Sequence, residues 1–124
     1  MNRGSEVELI TLEANRGRIH LRMTALFMGR DLCVTLCGGD RPHIGAVALA
    51  PPGGFASALS LPKHREEELT RKIASTLASE FNVTVCVACG VHLDGILEGE
   101  IREVLELAEE LTGALSERLE RMAR

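Results

Sequence analysis

Gly38-Gly39-Asp40-Arg41-Pro42-His43-Ile44-Gly45-Ala46-Val47-Ala48-Leu49-Ala50 is a polar, glycine-rich bend that runs straight into small and apolar residues. The diglycine lets the backbone approach a ligand closely, Pro42 stiffens the exit, and Arg41 and His43 are polar side chains held on the bend. The same pattern suits a plain tight turn before a buried strand. The elements on either side decide between the two.

Upstream, residues 6–13 and 18–28 alternate, and Asn15-Arg16-Gly17 between them has turn chemistry, so the two segments predict a hairpin. In the second segment Ile19, Leu21, Met23, Ala25 and Phe27 share one face, while His20, Arg22 and Thr24 share the other. Gly29-Arg30-Asp31 turns the chain into Leu32–Cys37, and the opening motif turns it again into Ile44–Ala50, which predicts a four-strand meander. Residues 51–63 are rich in Pro, Gly and Ser and read as a long connection, a candidate lid or a simple linker.

After Pro62 a helix is predicted. Leu69, Ile73, Leu77 and Phe81 form its apolar stripe, Glu66, Glu67 and Glu68 load its first turn, and Asn82 ends it. Val83–Cys89 is apolar on both faces, as expected of a central strand covered on two sides or placed at an oligomer interface. From about Glu98 to Met122 an amphipathic helix presents Ile101, Val104, Leu105, Ala108, Leu111, Leu115, Leu119 and Met122, with Gly113 a candidate bend. At about 35 Å it exceeds the width of a small sheet, so its last turns are expected to meet another subunit of a homo-oligomer.

The order is β-β-β-β-α-β-α. It predicts an α+β fold, a two-layer sandwich of a mixed, mainly antiparallel five-stranded sheet and two helices, in one domain spanning residues 1–124. The helix returns the chain, so the fifth strand is expected to run parallel to the fourth. On that topology His43 lies at the opposite end of the sheet from His64 and His92.

Composition narrows the function. A net charge of −4, three phenylalanines and neither Trp nor Tyr leave no basic footprint and few stacking surfaces, which sets nucleic acid aside. Met1–Glu6 lacks an apolar run and no window reaches a membrane span, so a cytoplasmic protein is expected. The four cysteines then read as thiols. Cys86 and Cys89 have CxxC spacing, yet residues three apart on a strand face opposite ways, and Cys33 and Cys37 stand about 13 Å apart along theirs. Neither pair, nor the histidines, predicts a metal site.

Pro62-Lys63-His64-Arg65 at a helix start suits a phosphate, and equally a solvated basic turn balanced by Glu66–Glu68. Gly90-Val91-His92-Leu93-Asp94-Gly95 occupies the place where ligands meet open α/β sheets. Gly38, Gly39, Arg41, His43, Lys63, His64, Arg65 and His92 together look more like a cradle for a phosphorylated ligand than a nucleophile with its base. No catalytic residue is assigned.

Three segments, GGDRPHIGAVALA at 38–50, LPKHREEELTRKIA at 61–74 and VTVCVACGVHLDGI at 83–96, resemble the LpdD-like family of small prenylated-flavin chaperones. That resemblance implies a non-catalytic accessory protein that holds prenylated FMN, or FMN, between a flavin prenyltransferase and a UbiD-type decarboxylase such as gallate decarboxylase. An aliphatic pocket would hold the ring system, with Arg41 or the 63–65 helix start on the phosphate. Two other readings stand beside it: a small hydrolase or lyase using His43 or His92 as general base, and a structural subunit with no ligand.

Overall fold

The computed structural model describes residues 8–62 and 66–122. Strands β1 (Leu9–Arg16) and β2 (Ile19–Met28) form the predicted hairpin, in register from Leu9 opposite Leu26 to Arg16 opposite Ile19. Strand β3 (Asp31–Gly39) follows antiparallel to β2. On β2 and β3 alternate residues are buried, while on β1 Ile10 is buried and Leu12 and Ala14 are half-buried. Ile19, Leu21, Met23, Ala25, Leu32, Val34 and Leu36 enter the core, as the alternation predicts.

The meander then stops. Strand β4 (Ala46–Ala50) does not pair with β3, because β6 (Val85–His92) lies between them, parallel to β3 and antiparallel to β4. The expected parallel pairing of residues 83–89 with the fourth strand is therefore corrected to an antiparallel one. Residues 40–45 supply about 20 Å of chain, enough to cross the roughly 10 Å that one intervening strand occupies. A parallel partner for β3 needs a long crossover, and the segment from β4 to the first helix provides it.

A second correction concerns residues 51–63. Ser57–Ser60 forms β5, a short edge strand antiparallel to β4, so the sheet has six strands in the order β1-β2-β3-β6-β4-β5. Residues 51–56 of this candidate lid or linker form the turn of that β4–β5 hairpin.

Helix α1 (Glu67–Phe81) packs over β4, β5 and β6, and α2 (Glu98–Met122) packs over β1 and β2. Asn82 ends α1 in the left-handed conformation at φ 52°, as its position predicts. Both helices bury their stripes in one aliphatic core. Ile73 and Leu77 of α1 meet Val104, Leu107, Leu111, Leu115 and Leu119 of α2 and the strands. α2 is continuous through Gly113. In its last turns Leu119 is buried, while Met122, 45% exposed, borders a cavity of about 320 Å³ with Phe27, Phe81 and Val83.

Strand β6 is covered on one face only. Val85, Val87 and Cys89 are buried beneath the helices, whereas Cys86 and Ala88 are half-buried on the other face. All four cysteines are free thiols.

A Cβ added at Gly113 meets no neighbour, so Gly113→Ala should raise stability by about 0.5–1 kcal/mol. Leu36→Ala empties a fully buried site and should cost about 2–5 kcal/mol. Urea denaturation reads both; a destabilising Gly113→Ala would contradict the open space beside α2.

Candidate functional site

Parallel strands end together, so the chain leaves β3 and β6 at the same edge of the sheet. The two exits then diverge: residues 40–45 cross to β4 on one side of β6, while residues 93–97 lead to α2 over β1 and β2. Ligands meet open sheets at such a divergence, beyond the carboxyl ends of the strands.

Register sets what converges there. Gly39 pairs with His92, and the ladder continues one step further because the Asp40 N–H donates to the His92 carbonyl at 2.6 Å. Asp40 then clamps the second loop, its Oδ2 accepting from the Asp94 N–H at 2.7 Å. Gly39 sits at φ +79°, and a Cβ there would overlap the His92 carbonyl. At Gly90 a Cβ would overlap the carbonyl of His43. Glycine at 39 and 90 thus lets three backbone segments close on one another.

The crossing of β6 by residues 40–45 brings His43 to His92, with ring centroids 6.4 Å apart in an edge-to-face arrangement. Placing His43 at the far end of the sheet followed from the parallel pairing, and it is corrected with it. His43 Nδ1 is 3.2 Å from the Arg41 carbonyl, and its Nε2 is 3.3 Å from Glu66 Oε2. Glu66 is the N-cap residue of α1, but its side chain makes no capping bond; its carboxylate accepts from the Val91 N–H at 3.2 Å and is only 12% exposed.

His92 Nε2 lies 2.9 Å from Asp94 Oδ1 and 3.0 Å from Nη2 of Arg41. One ring nitrogen cannot donate and accept at once: protonated, it donates to Asp94; deprotonated, it accepts from Arg41. The hydrogen bond from His92 is the main reason the Asp94 carboxyl is held below its ordinary value, with the charges of Arg41 and Arg18 adding to it. Arg41 and Asp94 stand 3.6 Å apart, and the Arg41 side chain is 71% exposed. A guanidinium so placed has donors free to meet an incoming anion.

A second arginine braces the rim. Arg18 forks onto Glu100 at 2.7 and 2.8 Å, and Glu100 also accepts from the Leu97 N–H, closing the first turn of α2. Among the described residues, the site thus sets Arg18 and Arg41 against Asp40, Glu66, Asp94 and Glu100.

Of the expected cradle, Gly38, Gly39, Arg41, His43 and His92 come together; Lys63, His64 and Arg65 lie outside the described residues. Glu66, Asp40 and Asp94 were not singled out by the sequence. Asp94 stands in a quoted segment, but nothing local marks Glu66 among three successive glutamates. Among the described residues no group of three or more His, Cys, Asp and Glu is arranged to hold a metal ion. No described helix is long and apolar enough to cross a membrane.

The family model for the prenylated flavin chaperone LpdD-like domain matches residues 15–120. The chain belongs to the LpdD-like family. The match includes β2 to β6, the site and nearly all of α2, and it supports a chaperone-type accessory role for this LpdD-like protein. The fold also occurs in a chain from the crystal structure of a chaperone complex for yeast 20S proteasome assembly. That chain superposes with a TM-score of 0.61 at 12% identity, over 91% of this chain and 98% of the other. Comparison with curated proteins finds no match.

In the LpdD-like fold the Arg18 fork and the Leu97 N–H hold the Glu100 carboxyl down to about 2, below its ordinary 4.5. A depressed folded value means that this stabilisation is present above about pH 4.5 and is lost as the pH falls towards 2. Wild-type melting temperature should therefore fall more steeply across that window than the Glu100→Gln variant's. Parallel melting curves would show the pair contributes nothing.

Proposed function

We propose that this LpdD-like protein is a non-catalytic carrier that binds prenylated FMN, or FMN, at the carboxyl ends of β3 and β6 and assists a UbiD-type decarboxylase. The convergence of exposed Arg41 with His43 and His92, in a chain of this family, is the observation that carries the reading. Arg41 supplies the permanent charge for the phosphate. Each histidine adds one when protonated, and Lys63, His64 and Arg65 belong to the same proposed cradle.

The residues fit a flavin nucleotide in two respects. Arg41 lies beside both an exposed carboxylate and a ring nitrogen, so an anion can draw it away without stranding a buried charge. The same loops carry exposed Ile44, Ile96 and Leu97, with exposed Leu61 bonded to Gly45 beside them, an aliphatic border for a ring system in a chain without Trp or Tyr. The cleft of about 560 Å³ between α1 and α2 is a poorer candidate, because its described lining has no Arg or His and its Lys72 already lies 3.8 Å from Glu109. Once bound, the nucleotide brings the flavin chemistry; the chain's own groups bind and orient it.

A second reading has its own observation. Glu66 on His43 and Asp94 on His92 are two carboxylate–histidine pairs facing each other, an arrangement that also suits proton transfer in a small hydrolase or lyase.

Titrating FMN and riboflavin separates the readings. Losing a charged hydrogen bond costs about 1.5–3 kcal/mol, so Arg41→Ala should weaken FMN about 10- to 100-fold and leave phosphate-free riboflavin unchanged. Equal loss for both ligands, or none, counts against the phosphate role; turnover abolished by His92→Ala with affinity intact supports the enzyme.

A further inference from the structure

The face of the sheet away from the helices is not a solvated polar surface. Antiparallel sheets with one wet face usually alternate apolar-in and polar-out. Here one row across all six strands, fixed by register, reads Leu9, Leu26, Cys33, Cys86, Leu49 and Ser57. The next row reads Thr11, Thr24, Thr35, Ala88, Val47 and Leu59. Neither row holds a charge. Large residues stand at the margins, where Leu9 is 59% exposed, Leu49 55% and Leu59 75%, while the middle is built from Cys, Thr and Ala. Charge flanks the rows on both sides: Asp31, opposite Met28, beyond the first row, and Glu13 with Arg22 and His20 towards the site.

We propose that this open face is the interface with a second copy of the chain, the two sheets packing face to face. Size is the first argument. Six strands are about 29 Å across, so the two uncharged rows form one unbroken strip of about 29 by 13 Å that spans the whole sheet. Charge is the second: a two-fold contact places each patch against itself, and the uncharged rows bring no like charges together. Small central side chains also let two sheets approach to the usual spacing of about 10 Å. A second copy is present whenever the chain is, so it covers the face even before any other partner arrives.

The interface leaves the candidate site open. Cys86 and His92 are six residues apart along β6, about 20 Å, so the uncharged rows lie near the amino ends of β3 and β6 and the site beyond their carboxyl ends.

Cys33 and Cys86 sit in the middle of the face and serve as built-in reporters. They neighbour each other across the parallel pair, both half-buried in the single chain. At 50 μM, light scattering behind size exclusion should give twice 13.4 kDa, and the two thiols should react with a maleimide at least tenfold more slowly than in a Leu49→Glu variant. Leu49→Glu and the milder Thr35→Arg should both give folded monomers by circular dichroism. Leu105→Glu, on the helix side, should remain a dimer. The proposal is overturned by a monomeric wild type, by a dimer that both sheet variants leave intact with unchanged thiol rates, or by a dimer that only Leu105→Glu dissociates. Should Leu49→Glu fail to fold, Thr35→Arg decides by the same readings.

Discussion

The parallel pairing of β3 with β6 is the constraint from which the rest of this molecule follows. It makes two strands end at one edge, and it sets Gly39 against His92. It also forces the chain leaving β3 to pass over the end of β6 on its way to β4, which delivers Arg41 and His43 to His92. The Asp40 clamp extends that pairing beyond the sheet, so two loops with separate destinations are fixed to each other before they part. Glycine at 39 and 90 is the steric condition for this, since a side chain at either position would occupy a carbonyl.

The polar residues of the site are braced in layers. Glu66 ties the start of α1 to β6 through the Val91 N–H and to the β3–β4 loop through His43. Arg18 and Glu100 join the β1–β2 turn to the start of α2. Deeper down, Cys89 is buried against Thr70, and burial pushes its thiol up to about 12, which leaves it neutral and without nucleophilic character. Burial raises the Cys86 thiol as well, so the Cys86–Cys89 pair offers no ready thiolate beside the histidines. Most ion pairs around the site lie at the surface and add little to stability; their effect is to hold donors and acceptors in place.

What the sequence discloses is what repeats locally. Alternation in Ile19–Phe27 gave the buried face of β2, the stripe of Ile73 and Leu77 gave the face of α1, and Asn82 gave its end. The divergent faces of Cys86 and Cys89 were equally legible from period-two geometry. Adjacency in space was not. Short turns suggest that consecutive strands pair, and no residue near 40–45 signals that a strand forty residues later will occupy the gap. That single misplacement moved His43 to the wrong end of the sheet and hid its meeting with His92. β5 was missed for a different reason: four residues between Pro-Gly runs carry too little pattern, and pairing with β4 makes the strand. Glu66 could not be distinguished from Glu67 and Glu68, because its role depends on β6.

The account turns on where a flavin nucleotide lands. Backbone amide chemical shifts of the isotopically labelled chain, followed by nuclear magnetic resonance while prenylated FMN is added anaerobically, test this most directly. The largest changes should fall at residues 38–45 and 90–97. Changes centred instead on Leu69, Leu105 and Gly113, in the cleft between the helices, would contradict it.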